Sequence, residues 1–173
     1  MTERNDALTH TAQILLEFEK IVKTYGAPNV GTVGELYVEP NLPNVVPGQV
    51  NFVLEVRGTD IQTMRSITDE ISDYASTHHQ VTVKENIEKH PSALSEMIVE
   101  KAEEVCKTNG VPYEVMMSGA NHDANTLSGV MDSGLIFIPC LDGVSHNPKE
   151  HAEPEDIEKG ANVLLATAME LVR

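Results

Sequence analysis

Two stretches in the second half of the sequence combine the residue types that polar catalysis requires. In the first, Ser118-Gly-Ala-Asn-His122-Asp123, a hydroxyl, an imidazole and a carboxylate follow an apolar segment. Small and polar residues after a strand are where α/β proteins place ligands, and imidazole can donate, accept or transfer a proton. A helix start capped by Asp123 explains the same residues without any chemistry. Both interpretations fit the sequence.

The second stretch runs from Phe137 to Glu150, and its candidate residue is His146 in a loop rich in Gly and Pro. Neutral imidazole is the commonest metal ligand, and loops that follow buried strands often carry function. Glu150 is near enough in sequence to hold the imidazole as an outer partner. The alternative is a solvated surface histidine. Solvated positions are also predicted for the remaining histidines, which are His10, His78, His79, His90 and His151.

Asn44 and Arg57 are the candidate functional residues of the first half. Asn44 lies in a connection bounded by prolines, and Arg57 ends a predicted strand. A guanidinium can form a fork of hydrogen bonds to a carboxylate or to a ureido oxygen. The alternative for Arg57 is an ordinary exposed arginine at the end of a strand.

Composition excludes several classes of partner. The chain has 173 residues and a formal net charge of −15, which argues against nucleic acid and against anionic membrane surfaces. Its first residues lack the apolar core of a secretory signal, and its apolar runs are too short to span a bilayer. Two cysteines without a CxxC motif are typical of a reducing compartment. We therefore expect a soluble cytoplasmic protein.

In the first half, the hydrophobic periodicity predicts a helix, two strands, a helix and a third strand. Thr59 or Asp60 is expected to cap the second helix. This order matches the ferredoxin-like pattern βαββαβ without its first strand, so residues 1–88 are predicted to form an incomplete ferredoxin-like domain. The predicted elements are Ala7–Thr24, Val30–Val38, Gln49–Arg57, Ile61–His78 and Gln80–Asn86.

Residues 89–173 change to alternating helix and strand, which indicates part of an α/β domain. Two strands are too few for a stable sheet, so either further strands escape the pattern or the rest of the sheet lies on sequence outside this chain. The overall class is therefore α/β (α+β). The predicted elements are a helix that Ser92 caps, that runs to Thr108 and that Asn109-Gly110 ends, a strand beginning at Val115, an apolar strand at Gly134–Pro139 and a helix that begins with Pro154.

Four motifs in this order resemble one family of enzymes. They are Asn41-Leu-Pro-Asn-Val-Val-Pro-Gly48, Ser118-Gly-Ala-Asn-His-Asp-Ala124, Ile136-Phe-Ile-Pro139 and Gly143-Val-Ser-His-Asn-Pro148. Together they resemble the N-carbamoyl-L-amino acid hydrolase, hydantoinase and allantoate amidohydrolase branch of the binuclear-metal exopeptidases. The resemblance implies a zinc-exopeptidase-like α/β catalytic domain with an inserted ferredoxin-like dimerisation domain. The implied reaction is metal-dependent cleavage of linear amide or ureido C–N bonds.

The resemblance also implies site residues. Two divalent metals, Zn²⁺ or Mn²⁺, are expected in the family, with His146 matching the last metal ligand. Asn44 and Arg57 are similar to residues that bind the substrate carboxylate across a homodimer. Gly119, Ala120 and His122 resemble the loop beside the substrate.

The family's general-base glutamate and its other metal ligands lie upstream of the matching region. By resemblance, this chain is therefore expected to be a C-terminal portion that is inactive alone. The alternatives are a non-catalytic dimerisation or interaction module, or one subunit of a split enzyme with a separate N-terminal chain. The sequence departs from the family pattern at Asn121, Cys140 and Glu55, where Gly, Ser and Asp are usual.

Overall fold

Residues 3–84 and 87–172 are described by a computed structural model, and within them lie five α-helices and one pair of β-strands. The predicted mixed α/β class is confirmed. The chain divides into two units, Met1–Pro91 and Ser92–Arg173, near the change in pattern at residue 88. Among the described helices, none is both long enough and apolar enough to cross a membrane.

The first unit contains two helices whose ends are set by local side chains. Helix α1 spans Ala7–Tyr25, and the Asp6 carboxylate accepts hydrogen bonds from the backbone N–H groups of Leu8 and Thr9. Helix α2 spans Ile61–His78, and Asp60 rather than Thr59 caps it by accepting from the N–H of Thr63 at 2.7 Å. Both caps satisfy backbone donors that a helix start leaves unpaired.

The strands of the first unit form one antiparallel hairpin. Strand β1 spans Val30–Glu39 and strand β2 spans Gln49–Arg57. Val30 pairs with Arg57 at one end, Glu39 pairs with Gln49 at the other, and the register shifts at Gly34. Because side chains alternate across a strand, this register directs one face of the hairpin toward the helices.

The core of the first unit lies between that face and the two helices. Phe52, Leu54 and Val56 of β2 pack against buried side chains of α1 and α2. Ile14 and Ile67 are almost completely buried at its centre. The buried members of this core are Ile14, Phe18, Ile21, Val22, Ile67, Ile71 and Ala75.

The strand predicted for Gln80–Asn86 is absent from its described part, residues 80–84, whereas Glu85 and Asn86 lie outside the described residues. Val81 does pack against the core, but its N–H donates to the carbonyl of His79 at 3.1 Å. Within the described residues, β2 pairs only with β1. The apolar pattern of this segment therefore reflects packing on the core. A strand would also require hydrogen bonds to a neighbouring strand.

The second unit is built around two helices. Helix α3 spans Glu96–Asn109 and ends at Gly110, which adopts the left-handed conformation. The short helix α4 spans Asp123–Leu127, and α5 spans Pro154–Leu171 with proline in its first turn, as predicted. Val105 and Cys106 of α3 pack against Val163 of α5 to form a small core.

Three predictions for the second unit are wrong. The strands expected at Val115 and at Gly134–Pro139 are not formed, since no strand occurs in residues 92–172. Ile136 still packs on the core, whereas Val115 is exposed, so apolar character alone does not produce a ladder. Ser92 does not cap α3, because its hydroxyl donates to the carbonyl of Asn125 at 3.3 Å.

Two glycines of β1 provide a matched test of the packing of the first unit. A Cβ at Gly31 would lie 2.6 Å from Cζ of Phe18 and 2.7 Å from Cγ2 of Val22, whereas a Cβ at Gly34 would meet nothing within 4 Å. We expect Gly31→Ala to lower the free energy of unfolding by about 1–3 kcal/mol through overpacking. Gly34→Ala should change it by less than about 1 kcal/mol. Urea denaturation followed by circular dichroism checks both, and equal losses would contradict this packing.

A pair of histidines joins the start of α1 to the end of α2. Nδ1 of His10 lies 2.9 Å from Nδ1 of His79, and Nε2 of His10 lies 3.1 Å from Oδ1 of Asn5. In the described part of the chain, the buried Nε2 of His79 has no hydrogen-bond partner. The prediction that both histidines are solvated is therefore wrong: each is half-buried. Burial lowers the pKa of His79, and the neighbouring His10 and His78 lower it further.

The first unit should lose stability in acid because of His79. Its pKa is lower in the folded state, so the unfolded state binds more protons as the pH falls through about 6.5. We expect the free energy of unfolding to be smaller at about pH 5 than at about pH 8. His79→Gln should reduce that difference, whereas His151→Gln, an exposed position in the second unit, should not. Denaturation curves at both pH values test this, and an unchanged difference in His79→Gln would refute it.

Candidate functional site

The loop before α4 is organised by a serine and a histidine. Oγ of Ser118 lies 2.7 Å from Nε2 of His122, and the backbone N–H of Ala120 donates to the same Oγ at 3.2 Å. His122 is the N-cap residue of α4, but its side chain makes no capping hydrogen bond. Asp123 lies inside the first turn of the helix and is not its cap. The geometry therefore favours a polar cluster over the capping interpretation.

The imidazole of His122 is confined from a second side. The ring of Phe137 meets it edge-on, with 5.3 Å between the ring centroids and an interplanar angle of 61°. Both Ser118 and His122 are half-buried. Phe137 belongs to the second candidate stretch, so the structure brings the beginning of that stretch against the first. His122 is consequently a half-buried imidazole whose ring is restrained by one polar and one aromatic neighbour.

His146 is exposed at the tip of an ordered loop. Its φ of 55° is left-handed, and its backbone N–H donates to Oε2 of Glu150 at 2.9 Å. The same loop is closed by a hydrogen bond from the Leu141 N–H to the His151 carbonyl, at 2.8 Å. Glu150 therefore supports the backbone of the loop, whereas the sequence had suggested a partner for the imidazole.

The described residues do not form a metal centre by themselves. Within residues 3–84 and 87–172, no group of three or more His, Cys, Asp or Glu side chains is placed to hold a metal ion. Protein sites for Zn²⁺ and similar ions use three or four ligands. Among the described residues, His146 therefore lacks the further ligands that a complete divalent-metal site requires.

In the first unit, Arg57 is paired with a neighbouring acid. Its Nη2 lies 3.0 Å from Oε2 of Glu55, and both side chains are about half exposed. The hydrogen bond to Glu55 and the charge of that carboxylate raise the pKa of Arg57, so the guanidinium stays charged. An exposed ion pair of this kind contributes only about 0–1 kcal/mol. The pair with Glu55 is therefore a weak one.

The hairpin separates the two predicted carboxylate binders. The eight residue steps from Gln49 to Arg57 span roughly 26 Å at about 3.3 Å per residue. Asn44 is exposed beyond Gln49, in a connection closed by a 3.0 Å hydrogen bond from the Gly48 N–H to the Glu39 carbonyl. Asn44 and Arg57 of one chain therefore lie at opposite ends of the hairpin.

Sequence reasoning included Ser118 in a candidate stretch but did not predict its contact with His122, and it missed Phe137 as a neighbour of the imidazole. A hydroxyl four residues before a histidine is a recognisable signal on a helix, but Ser118 lies in an irregular loop. Phe137 was assigned to an apolar strand, where an aromatic side chain is expected to fill a core. Only the folded loop shows that both side chains contact the imidazole.

Comparison with known proteins shows one consistent kind of relative. A sequence profile of peptidase family M20/M25/M40 matches residues 7–170. The chain is 35% identical over 178 residues to N-carbamoyl-L-amino acid amidohydrolase of Geobacillus stearothermophilus, covering 100% of this chain and 43% of that protein. It is 30% identical over 169 residues to allantoate amidohydrolase of Escherichia coli (strain K12), covering 95% of this chain and 41% of that protein.

Solved structures agree with these relatives. The crystal structure of an amidase of the hydantoinase/carbamoylase family from Burkholderia multivorans superposes with a TM-score of 0.84 at 34% identity. The match covers 96% of this chain and 42% of the Burkholderia multivorans chain. The chain thus spans about two fifths of the length of the relatives it matches, and the match includes both units. This chain belongs to peptidase family M20/M25/M40, and within it is similar to the N-carbamoyl-L-amino acid and allantoate amidohydrolases.

Proposed function

We propose that this chain is a C-terminal portion of a metal-dependent amidohydrolase that cleaves linear amide or ureido C–N bonds. The proposed substrates are N-carbamoyl amino acids or allantoate. The observation that carries the proposal is the match of both units to relatives with these two activities. The geometry supports it, because the loop before α4 holds an imidazole ready to hydrogen-bond a small polar molecule.

In this proposal, His122 donates to an oxygen of the substrate, and Gly119 and Ala120 form the wall beside it. The N–H of Ala120 is already bonded to Ser118, so Ala120 contacts the substrate through its carbonyl or its methyl group. Gly119 is exposed, which leaves room for a ligand at that position. The cluster therefore orients the substrate and does not supply a general base.

Asn44 and Arg57 are proposed to bind the carboxylate end of the substrate. Because they lie at opposite ends of the hairpin, a pocket that uses both takes them from different copies of the chain. This requires a homodimer. The exposed side chains of Tyr37 and Val53, on the face of the hairpin away from the helices, provide apolar surface for such an assembly.

His146 is proposed as one ligand of a divalent metal, Zn²⁺ or Mn²⁺, whose other ligands lie outside the described residues. A metal bound there would polarise the scissile carbonyl and activate water. The loop around Glu150 holds the backbone of His146 and so presents its imidazole outward. The general base is likewise assigned to residues outside this chain.

The first test of the proposal compares the isolated chain with a completed enzyme. The purified chain, supplied with Zn²⁺ or Mn²⁺, should show no chelator-sensitive hydrolysis of N-carbamoyl amino acids or allantoate. A chimera that joins it to the unmatched N-terminal part of the Geobacillus stearothermophilus relative should hydrolyse N-carbamoyl amino acids. In the chimera, Arg57→Ala should raise KM roughly 10- to 100-fold, as expected for a lost hydrogen bond to a charged group. Lys159→Ala, on an exposed face of α5, is the matched control and should leave KM unchanged.

Two results would contradict this proposal. Chelator-sensitive turnover by the isolated chain would show that the chain needs no further residues. A folded, metal-loaded chimera without turnover would exclude the hydrolase function. In the second case, dimerisation of the isolated chain in sedimentation analysis would instead favour a non-catalytic interaction module.

A further inference from the structure

The hydroxyl of Ser118 has two neighbours that together determine where its proton lies. The Ala120 N–H donates to Oγ at 3.2 Å, so Oγ accepts in that contact. The other contact, 2.7 Å to Nε2 of His122, is short enough for a strong hydrogen bond. In the described part of the chain, Nε2 of His122 lies within reach of this hydroxyl as an acceptor. Because Oγ already accepts from the Ala120 N–H, donation to Nε2 gives the hydroxyl a partner for its proton as well.

This direction of donation selects one tautomer of the imidazole. A neutral imidazole carries a proton on one nitrogen and a lone pair on the other. If Nε2 accepts from Ser118, the proton of His122 lies on Nδ1. The opposite assignment would make Oγ accept two hydrogen bonds and leave its own proton to solvent. The Phe137 ring, which meets the imidazole edge-on, then restrains the direction in which Nδ1–H points.

We infer that Ser118 is a positioning residue that fixes His122 as the Nδ1–H tautomer, so that Nδ1–H is presented to an oxygen of the substrate. The contact of Nδ1–H with a substrate rests on the proposed function, whereas the tautomer of His122 can be tested without turnover. Ser118 acts through His122 and need not touch the substrate. Its hydroxyl is the group that distinguishes a histidine poised to donate through Nδ1 from one poised to donate through Nε2.

The tautomer can be observed directly in the intact chain. With ¹⁵N-labelled histidine at about pH 8, long-range ¹H–¹⁵N correlation spectra distinguish a protonated from an unprotonated ring nitrogen. The wild-type chain should show His122 protonated at Nδ1. Ser118→Ala should shift it toward the Nε2–H form, and Ser118→Thr, which keeps a hydroxyl, should preserve the wild-type pattern. Ser128→Ala is the matched control, because that hydroxyl donates to the Asn125 carbonyl at 2.9 Å in the same unit.

The inference is overturned if wild-type His122 is protonated at Nε2, or if Ser118→Ala leaves its tautomer unchanged while the variant remains folded by circular dichroism. In the active chimera, Ser118→Ala should lower kcat/KM roughly 10- to 100-fold, as for other lost hydrogen bonds that orient a functional imidazole. Ser118→Thr should recover most of that loss. Covalent labelling of Ser118 by a fluorophosphonate would overturn the positioning role in favour of a nucleophilic serine. An inactive wild-type chimera with the predicted tautomer would refute the proposed function and leave the Ser118–His122 assignment intact.

Discussion

The antiparallel pairing of β1 with β2 is the constraint on which the first unit depends. Side chains alternate along a strand, so this register turns Phe52, Leu54 and Val56 toward α1 and α2 together. A shift by one residue would expose these side chains and direct Glu55 and Arg57 into the core. The same register fixes the ends of the hairpin, and through them the separation of Asn44 from Arg57. Packing and the placement of the candidate binders thus follow from one ladder.

The second unit is organised by a pair of helices and not by a sheet. No ladder occurs in its described residues, and its loops are anchored on the pair of helices α3 and α5. Local hydrogen bonds then shape the loops, as between Ser118 and His122 and between Glu150 and the backbone of His146. Loops of this kind can carry functional groups because helices hold their ends while short-range bonds select one conformation.

Helices were predictable from the sequence because their signals are local. The apolar spacing of α1 and α2, Gly110 at the end of α3 and Pro154 at the start of α5 each act within a few residues. The hairpin was predictable because both of its strands lie within this chain. Strands were predicted wrongly at Gly134–Pro139 and in the described part of Gln80–Asn86, since a strand is completed by a partner that its own sequence does not specify.

The candidate site was likewise only partly predictable from the sequence. The stretch from Ser118 to Asp123 was recognised by residue type, but the roles within it were not, because a contact in an irregular loop follows no sequence period. The histidine pair of His10 and His79 was missed for a related reason, since it joins residues far apart in the sequence. Residue type thus indicated where polar chemistry is concentrated, and tertiary contacts determined which atoms meet.

Electrostatics place a final condition on the proposed binding of a carboxylate. A formal net charge of −15 repels anions at long range, so the overall field cannot draw such a substrate to the chain. Local geometry must do so, and Arg57 already holds the carboxylate of Glu55 at 3.0 Å. A bound substrate would replace the Glu55 carboxylate, and the low stability of an exposed pair keeps the cost of breaking it small. Affinity must then come from a geometry better than the single contact with Glu55, such as the forked pair of hydrogen bonds that a guanidinium forms with a carboxylate. Recognition of the substrate carboxylate is therefore expected to depend on its fit to the guanidinium of Arg57 and not on the long-range field of the chain.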